Sequence, residues 1–501
     1  MPHLIFQIDE ILRPIAEYIG QVSRPTAVEF ARCCRAFEEP ALRPLWESTT
    51  LGNLMYALPK DVLHFGGPGL CVRIFRQLTP IERWRLLRYA SWVRRITGFV
   101  TEDLVCFLQV LFGLPTDDPF PNLRELHGWI EPTLLCFLHH FVSPRLTVFS
   151  VCVDTDDQLG CSGYGSLTGA ILAIPGSSLQ RFSLGDHRWE NASTRFKQEV
   201  SAMVLRCGPP LNHLNAGVEL SEQAILHVIQ LPRLRTLKLT HESPPDFAIA
   251  MSLQDTIVFP ALQSLTLASP ITHAWLPFLN DLLWRHPAVT ALRGPGQPHS
   301  QIGIHSTLEE LRCLSGEAPK QAIVKQALAF WNLTTLEVGK ICPRDSCSFD
   351  LTDDDVTAIT KALPRIQKLT LGRPCGFNTC QTTFGSLLVL SANCVELTEL
   401  AVHFNTTNIV EDVKSLLETE ALDGQKRPRC GVTSLPVFLA PLTVDKPDAD
   451  VLAKGFMFVF PALENMPVCP MAGATASPAW LRVNAAISRF RDLHKSDSCI
   501  S

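Results

Sequence analysis

The sequence predicts an α/β protein: a small all-α head followed by a curved solenoid, with parallel strands on the concave side and helices on the convex side. Three observations predict this. A six-residue pattern, apolar at its first, fourth and usually sixth positions, recurs from "VRRITGF" at 93 to a copy beginning at Leu463. Segments with helix caps and acidic first turns lie between the copies. The first fifty or so residues carry no copy and instead space their apolar residues at helical steps.

In the head, residues 1–50, "IDEILRPIAEYI" sets Ile8, Ile11, Leu12, Ile15 and Ile19 on one helix face, with Asp9 placed to cap it. A second helical stretch follows "GQVSRP" and is expected to bury Val28, Phe30, Ala31 and Cys34. Pro40 and Pro44 are expected to break the chain into short turns around Ala41, Leu45 and Trp46, because proline removes a helix hydrogen bond. Cys33 and Cys34 lack a second ligand pair at zinc-finger spacing, so they are expected as small packed thiols in a helix. Three short helical pieces make a thin core, and some of their apolar surface needs a partner.

Residues 51–92 read as a helical linker. "TPIERWRLLRYASWVRR" at 79–95 opens on a capping box, Thr79 with Glu82, and has Pro80 at the first helical position. Its arginines are the densest basic run of the chain and read as a solvated helix face.

Residues 93–481 carry the repeats. Clear copies include "LRELHGW" at 123, "LQRFSLG" at 179, "LRTLKLT" at 234, "LEELRCL" at 308, "LTTLEVG" at 333, "IQKLTLG" at 366 and "LTELAVH" at 397; weaker ones start at Leu211, Val289, Val432 and Leu463. The thirteen intervals from Val93 to Leu463 average about 28 residues, unevenly spaced. Alternation in the second half of each copy predicts a short strand with one buried face. Thr101 before "EDLVCFLQVLF", Ser221 before "EQAILHVIQ" and Thr352 before "DDDVTAITKAL" each cap a predicted helix, with acids toward the positive end of its dipole. Such a unit cannot bury its own apolar face, so neighbours must stack. Residues 482–501 are expected to form a partly disordered tail.

Composition narrows the function. Lys and Arg number 44 against 49 Asp and Glu, a net charge of −5, which offers no basic excess to a nucleic-acid backbone. The best apolar run, 104–115, falls short of the roughly 18–20 residues of a membrane span, so no membrane partner is expected. "MPHLIFQIDE" has no basic n-region, and the 17 cysteines have no framework spacing, so an intracellular protein with reduced thiols is expected, in cytoplasm or nucleus. "CPRDSC" (Cys342, Cys347) and "CGFNTC" (Cys375, Cys380) are spaced more loosely than zinc ligands usually are and read as loop packing. "GCSGYGSLTG" at 160–169 lacks a phosphate-loop ending and reads as a flexible loop. His139 and His140 read as a helix end. No catalytic motif, metal site or cofactor site is found, and no enzyme is expected.

The repeat pattern resembles leucine-rich-repeat proteins over roughly 93–470. The head resembles an F-box of the form common in basidiomycete fungal families, through Glu10-Ile11-Leu12, Ala31-Arg32-Cys33-Cys34-Arg35-Ala36-Phe37, Glu39-Pro40-Ala41-Leu42 and Leu45-Trp46. It departs from that family in having Ile8 and Asp9 where a proline usually precedes the glutamate. The resemblance implies a substrate-recruiting adaptor of an SCF-type ubiquitin ligase, its head docking on the Skp adaptor subunit through Ile8, Glu10, Ile11, Leu12, Ile15, Leu45 and Trp46. The alternative is a repeat scaffold without ligase association. An unidentified protein substrate is expected on the concave face. The register places Arg95, Arg181, Lys238, Arg312 and Lys368 there with Glu125, Glu310, Glu337 and Glu399, plus Trp129 and His403, a nearly balanced set.

Overall fold

The computed structural model describes residues 9–65, 72–114, 118–153, 161–185, 193–240, 259–267, 308–313, 320–328, 330–338, 351–371, 381–402, 404–423, 430–438, 446–469 and 478–498. The chain divides into two compact units, Met1–Leu231 and Pro232–Ser501. That division falls inside the stretch 93–481 that the repeat pattern treats as one body.

The first unit opens with helices α1 (Asp9–Val22), α2 (Arg24–Cys33) and α3 (Arg35–Glu47). Ser23 caps α2 by accepting from the Thr26 amide. Buried Ala16, Ala31 and Ala41, one from each helix, form the centre, and Phe30 and Leu42 pack against it. Alanines let the helices approach closely but remove little apolar area from water, so this core is thin.

Several expectations for the head are corrected. Pro40 and Pro44 lie inside α3 and do not break it; packing of α3 against α1 and α2 outweighs the lost hydrogen bonds. Val28 is exposed, and Ala27, a full turn before Ala31, takes the inward position. Cys34 is an extended residue joining α2 to α3, and Cys33 is exposed, its thiol donating to the Glu29 carbonyl at 3.4 Å. The cysteine pair forms a corner between helices.

The chain passes from α3 directly into β1 (Ser48–Thr49), then α4 (Leu51–Met55), an antiparallel hairpin of β2 (Leu63–Phe65) and β3 (Val72–Ile74), and α5 (Pro80–Trp92). Both halves of the Thr79–Glu82 capping box form at the start of α5. β1 pairs in parallel with β4 (Arg95–Ile96), so the sheet begins at Ser48, ahead of the first repeat copy. β5 (Phe99–Val100), β6 (Glu125–Ile130), β7 (Val148–Val153), β8 (Arg181–Ser183) and β9 (His213–Asn215) complete a parallel sheet of order β1-β4-β6-β7-β8-β9, with β5 also on β6. Helices α6 (Val105–Phe112), α7 (Cys161–Ala173), α8 (Thr194–Arg206) and α9 (Glu222–Ile229) lie between strands. Helix α7 occupies the glycine-rich segment expected as a flexible loop. Burial of Leu167, Ala170 and Ile171 offsets the roughly 1 kcal/mol that each glycine costs a helix.

The second unit repeats the scheme. β10 (Thr236–Leu239), β11 (Ser264–Leu267), β12 (Glu310–Cys313), β13 (Thr335–Val338), β14 (Lys368–Leu371) and β15 (Glu399–Val402) pair in parallel in that order. Its described helices are α10 (Lys320–Ala327), α11 (Asp353–Ala362), α12 (Phe384–Asn393), α13 (Ile409–Asp423), α14 (Lys446–Val459) and α15 (Pro478–Ser498). Ser221 and Thr352 cap α9 and α11 as the sequence predicts, whereas Thr101 is followed by a 3-10 turn, Glu102–Leu104, and α6 opens on Leu104 without a side-chain cap. The copy at Val289, His403 and both C-x4-C pairs lie outside the described residues.

The repeat register has a simple backbone cause. The carbonyl at the second position of a copy accepts the amides of the second and third positions of the next. Gln263 and Ser264 donate to Arg235, Glu309 and Glu310 to Gln263, Thr334 and Thr335 to Glu309, and Gln367 and Lys368 to Thr334. Each strand is thereby locked onto its neighbour, with the first, fourth and sixth positions inward. Leu333, Leu336 and Val338 are fully buried, as are Ile366, Leu369 and Leu371, each burial worth about 1.5–3 kcal/mol. The copies at 432 and 463 have Pro436 and Pro467 at the fifth position. Having no N–H, the prolines interrupt the ladder. What remains are single bridges Glu399–Ser434–Asn465, followed by a short parallel pair, β16 (Val437–Phe438) and β17 (Val468–Cys469).

The expected disordered tail is replaced by α15, a 21-residue helix. Its Trp480, Val483, Ala486 and Ile487 are buried, with Trp480 beside Phe456.

Candidate functional site

Two surfaces stand out: one face of α1 in the first unit, and the outward face of each unit's sheet.

On α1, Leu12 and Ala16 point into the head, at 3% and 0% exposure. Ile11, Ile15, Tyr18 and Val22 are 39%, 42%, 69% and 69% exposed. Their steps of 4, 3 and 4 place them on one face, so α1 carries two apolar stripes, one inward and one facing solvent. The predicted contact set is divided accordingly. Ile11 and Ile15 are on the solvent stripe, whereas Leu12 is core and cannot touch a partner without unfolding the head. Glu10 sits in the first turn of α1, and Ile8 lies outside the described residues. Leu45 is half-buried, its Cδ2 3.6 Å from where a Cβ on Gly20 would stand. Trp46 is half-buried and stacks on Tyr89 of α5, ring centroids 4.8 Å apart at 12°. Trp46 therefore ties the head to the linker helix. Arg88 of α5 strengthens this junction, reaching Glu38 at 3.1 Å and Glu39 at 3.5 Å while lying over the rings of Trp84 and Trp92. Tyr18 and Val22 were missed in the sequence, although their spacing from Ile11 and Ile15 carried the signal.

On the first unit's sheet, Arg95 makes two contacts to Glu125, 2.6 and 2.9 Å, and His127 Nε2 lies 3.3 Å from the same carboxylate. The Arg95 hydrogen bonds hold the Glu125 carboxyl below the usual carboxylate range. Trp129, on the same strand, is 42% exposed. Arg181 is exposed and in register with His213, whose pKa burial, followed by the Arg181 charge, lowers to about 4. His213 is thus neutral at pH 7.

On the second unit's sheet the charges form a ladder across the strands. Ser264 donates to Glu310 at 2.6 Å, and Arg312 clasps Glu310, with Nε at 2.5 Å. Arg312 also stands 3.6 Å from Glu337. Lys368 stands 3.6 Å from Glu337 and 2.6 Å from Glu399. Glu399 is exposed, Lys238 is half-buried two strands from Arg312 in the same row, and Glu337 is buried. Most charges chosen from the sequence as substrate-reading groups are therefore already paired with one another. Identical register positions in successive copies meet across the ladder, and the opposite signs of Arg95 and Glu125, or of Lys368 and Glu399, were a readable signal for this.

Cys207 is a buried free thiol, and burial pushes its pKa up to about 12, away from thiolate chemistry. Among the described residues no helix is long and apolar enough to cross a membrane, and no group of three or more His, Cys, Asp or Glu is placed to hold a metal ion.

No family model matches the chain, and no curated protein matches it. Among solved structures, the crystal structure of the Rad7 and Elc1 complex in yeast is similar over 75% of this chain and 90% of that one, at 14% sequence identity and a TM-score of 0.36.

Proposed function

We propose that the chain is a substrate-recruiting adaptor of an SCF-type ubiquitin ligase, its F-box-like head binding the Skp adaptor and its repeats binding a protein substrate. It is read as a binding protein of the cell interior, without catalysis or cofactor. The observation that supports this best is the solvent-facing stripe Ile11-Ile15-Tyr18-Val22 on a head whose buried core is small, Leu12 with Ala16, Ala27, Ala31 and Ala41. A thin helical unit that leaves four large apolar side chains in a row is built to be completed by another chain. Ile11 of the motif and Ile15 of the expected contact set belong to that stripe.

A second reading, a repeat scaffold without ligase association, is favoured by Leu12 and Trp46. Both belong to the resemblance, yet both are used internally. Calorimetric titration of the purified full-length chain with a purified Skp-type adaptor separates the two. Micromolar or tighter binding that is lost in Ile11→Glu/Ile15→Glu supports the adaptor, and no heat at micromolar protein supports the scaffold.

A further inference from the structure

We propose that Arg181, with His213 beside it, is the point on the first unit's sheet that reads an aspartate or glutamate side chain of the bound protein. This rests on the reading of that face as the substrate surface and names the chemistry it selects. The third position of a repeat copy points outward, and elsewhere on the two sheets its charges are paired. Arg95 and Glu125 hold each other, Glu310 holds Arg312, and Lys368 holds Glu399. Arg181 occupies the same position on β8, is exposed, and makes no ion pair or side-chain hydrogen bond with any described residue. In its row, β7 presents Val148, half-buried and uncharged, and β9 presents His213. The carboxylate beyond Val148 is Glu125, about 10 Å away at roughly 4.8 Å per strand and already clasped by Arg95 through both oxygens. The row Arg95-Glu125-Val148-Arg181-His213 therefore sets two cations against one carboxylate, and the excess charge sits at Arg181.

His213 adds a hydrogen-bond donor without adding charge. It is half-buried and neutral at pH 7, and its ring nitrogens bond to no described residue. A polar ring partly withdrawn from water favours a hydrogen-bonded partner. Its neutral form carries one N–H, on a strand about 4.8 Å from that of Arg181. Guanidinium and imidazole together offer an oxyanion several donors but a single positive charge. A carboxylate, with one negative charge and two oxygens that match the guanidinium fork, balances it. A phosphorylated side chain, at about −1.5 to −2, overshoots it.

The test pans a random decapeptide phage library against immobilised full-length chain, beside the Arg181→Gln, Val148→Glu and His213→Phe variants. Arg181→Gln removes the charge from an exposed residue. Val148→Glu, whose Cα is in register with that of Arg181, supplies a carboxylate from within. His213→Phe keeps a ring and removes the N–H. The expected result is about tenfold enrichment of Asp or Glu at one peptide position on the wild type, lost on the first two variants and reduced on the third. Enrichment that persists on Arg181→Gln or Val148→Glu, undiminished enrichment on His213→Phe, preference for basic peptides, or no selection at all overturns the proposal. Melting temperatures show which variants are folded, and Arg181→Gln alone decides the outcome if the other two are not. The selected peptide is then synthesised with phosphoserine at the acidic position; weaker binding supports the carboxylate, and tighter binding overturns it. Adaptor titration on the same preparations separates the two readings. Adaptor binding without acidic selection sinks only the Arg181 site, and acidic selection without adaptor binding sinks only the ligase role.

Discussion

Asp353 is the first residue of α11, but its carboxylate serves the next helix. The Thr383 amide and hydroxyl each donate to it at 2.7 Å, and the Ser386 hydroxyl donates as well. Thr383 is the N-cap of α12, so Asp353→Ala removes the acceptor that holds one helix start against another. An N-cap interaction is worth about 1 kcal/mol and a hydrogen bond to a charged group about 1.5–3. Asp353 is only half-buried, and water can replace part of what is lost, so the expected cost is about 1–2 kcal/mol at pH 7. Burial raises the Asp353 pKa, but hydrogen bonds from Ser386 and Thr383 outweigh it and hold the carboxyl below its ordinary value. A depressed carboxyl stabilises the fold above its unfolded pKa of about 3.9 and loses that contribution as pH falls through the folded value. Urea denaturation from pH 7 to pH 2 should therefore show the wild-type advantage over Asp353→Ala steady down to about pH 4 and shrinking below it. Amide exchange should show loss of protection at Thr383 and Gly385. Equal stability at pH 7, or a difference that grows on acidification, refutes this account of the helix row.

Three further outcomes follow from the same packing. Gly128 sits where an added Cβ would collide with the Gly98 carbonyl oxygen, so Gly128→Ala should part β5 from β6 and lower stability by about 2 kcal/mol or more in urea. A double-mutant cycle on Trp46→Ala and Tyr89→Ala should give a coupling of about 0.5–1.5 kcal/mol, the value of a stacked pair; zero coupling would return Trp46 to the partner surface. Phe456→Ala removes a fully buried ring packed against Phe384, Phe404 and Trp480, at a cost of about 3–5 kcal/mol. Hydrogen exchange should report the damage in α12 to α15 and spare the first unit, as neighbour-only contacts require.

The repeat strands were legible in the sequence because their period-two core pattern recurs at a period the backbone itself repeats. Ser221 and Thr352 were legible because a cap is a local device. The head was less so. Leu12 and Ile11 are adjacent and equally apolar, and only the positions of α2 and α3 decide which of them is core. Local rules misjudged Pro40, Pro44 and the glycines of α7, because tertiary burial outweighed their intrinsic cost. The sheet charges were placed on the correct face yet treated as available to a partner. Whether Lys368 is available depends on Glu399, 31 residues away in sequence and one strand away in space.

The central claim is that the solvent stripe of α1 is a docking face for a Skp-type adaptor, while the sheet serves another partner. The direct measurement is calorimetric titration of purified adaptor into the full-length chain, the wild type beside Ile11→Glu/Ile15→Glu, with melting temperatures recorded for both. The account predicts micromolar or tighter binding by the wild type, a loss of at least a hundredfold in the double variant (about 2.7 kcal/mol), and closely similar melting temperatures. No binding by the wild type, or equal binding by the folded double variant, contradicts it.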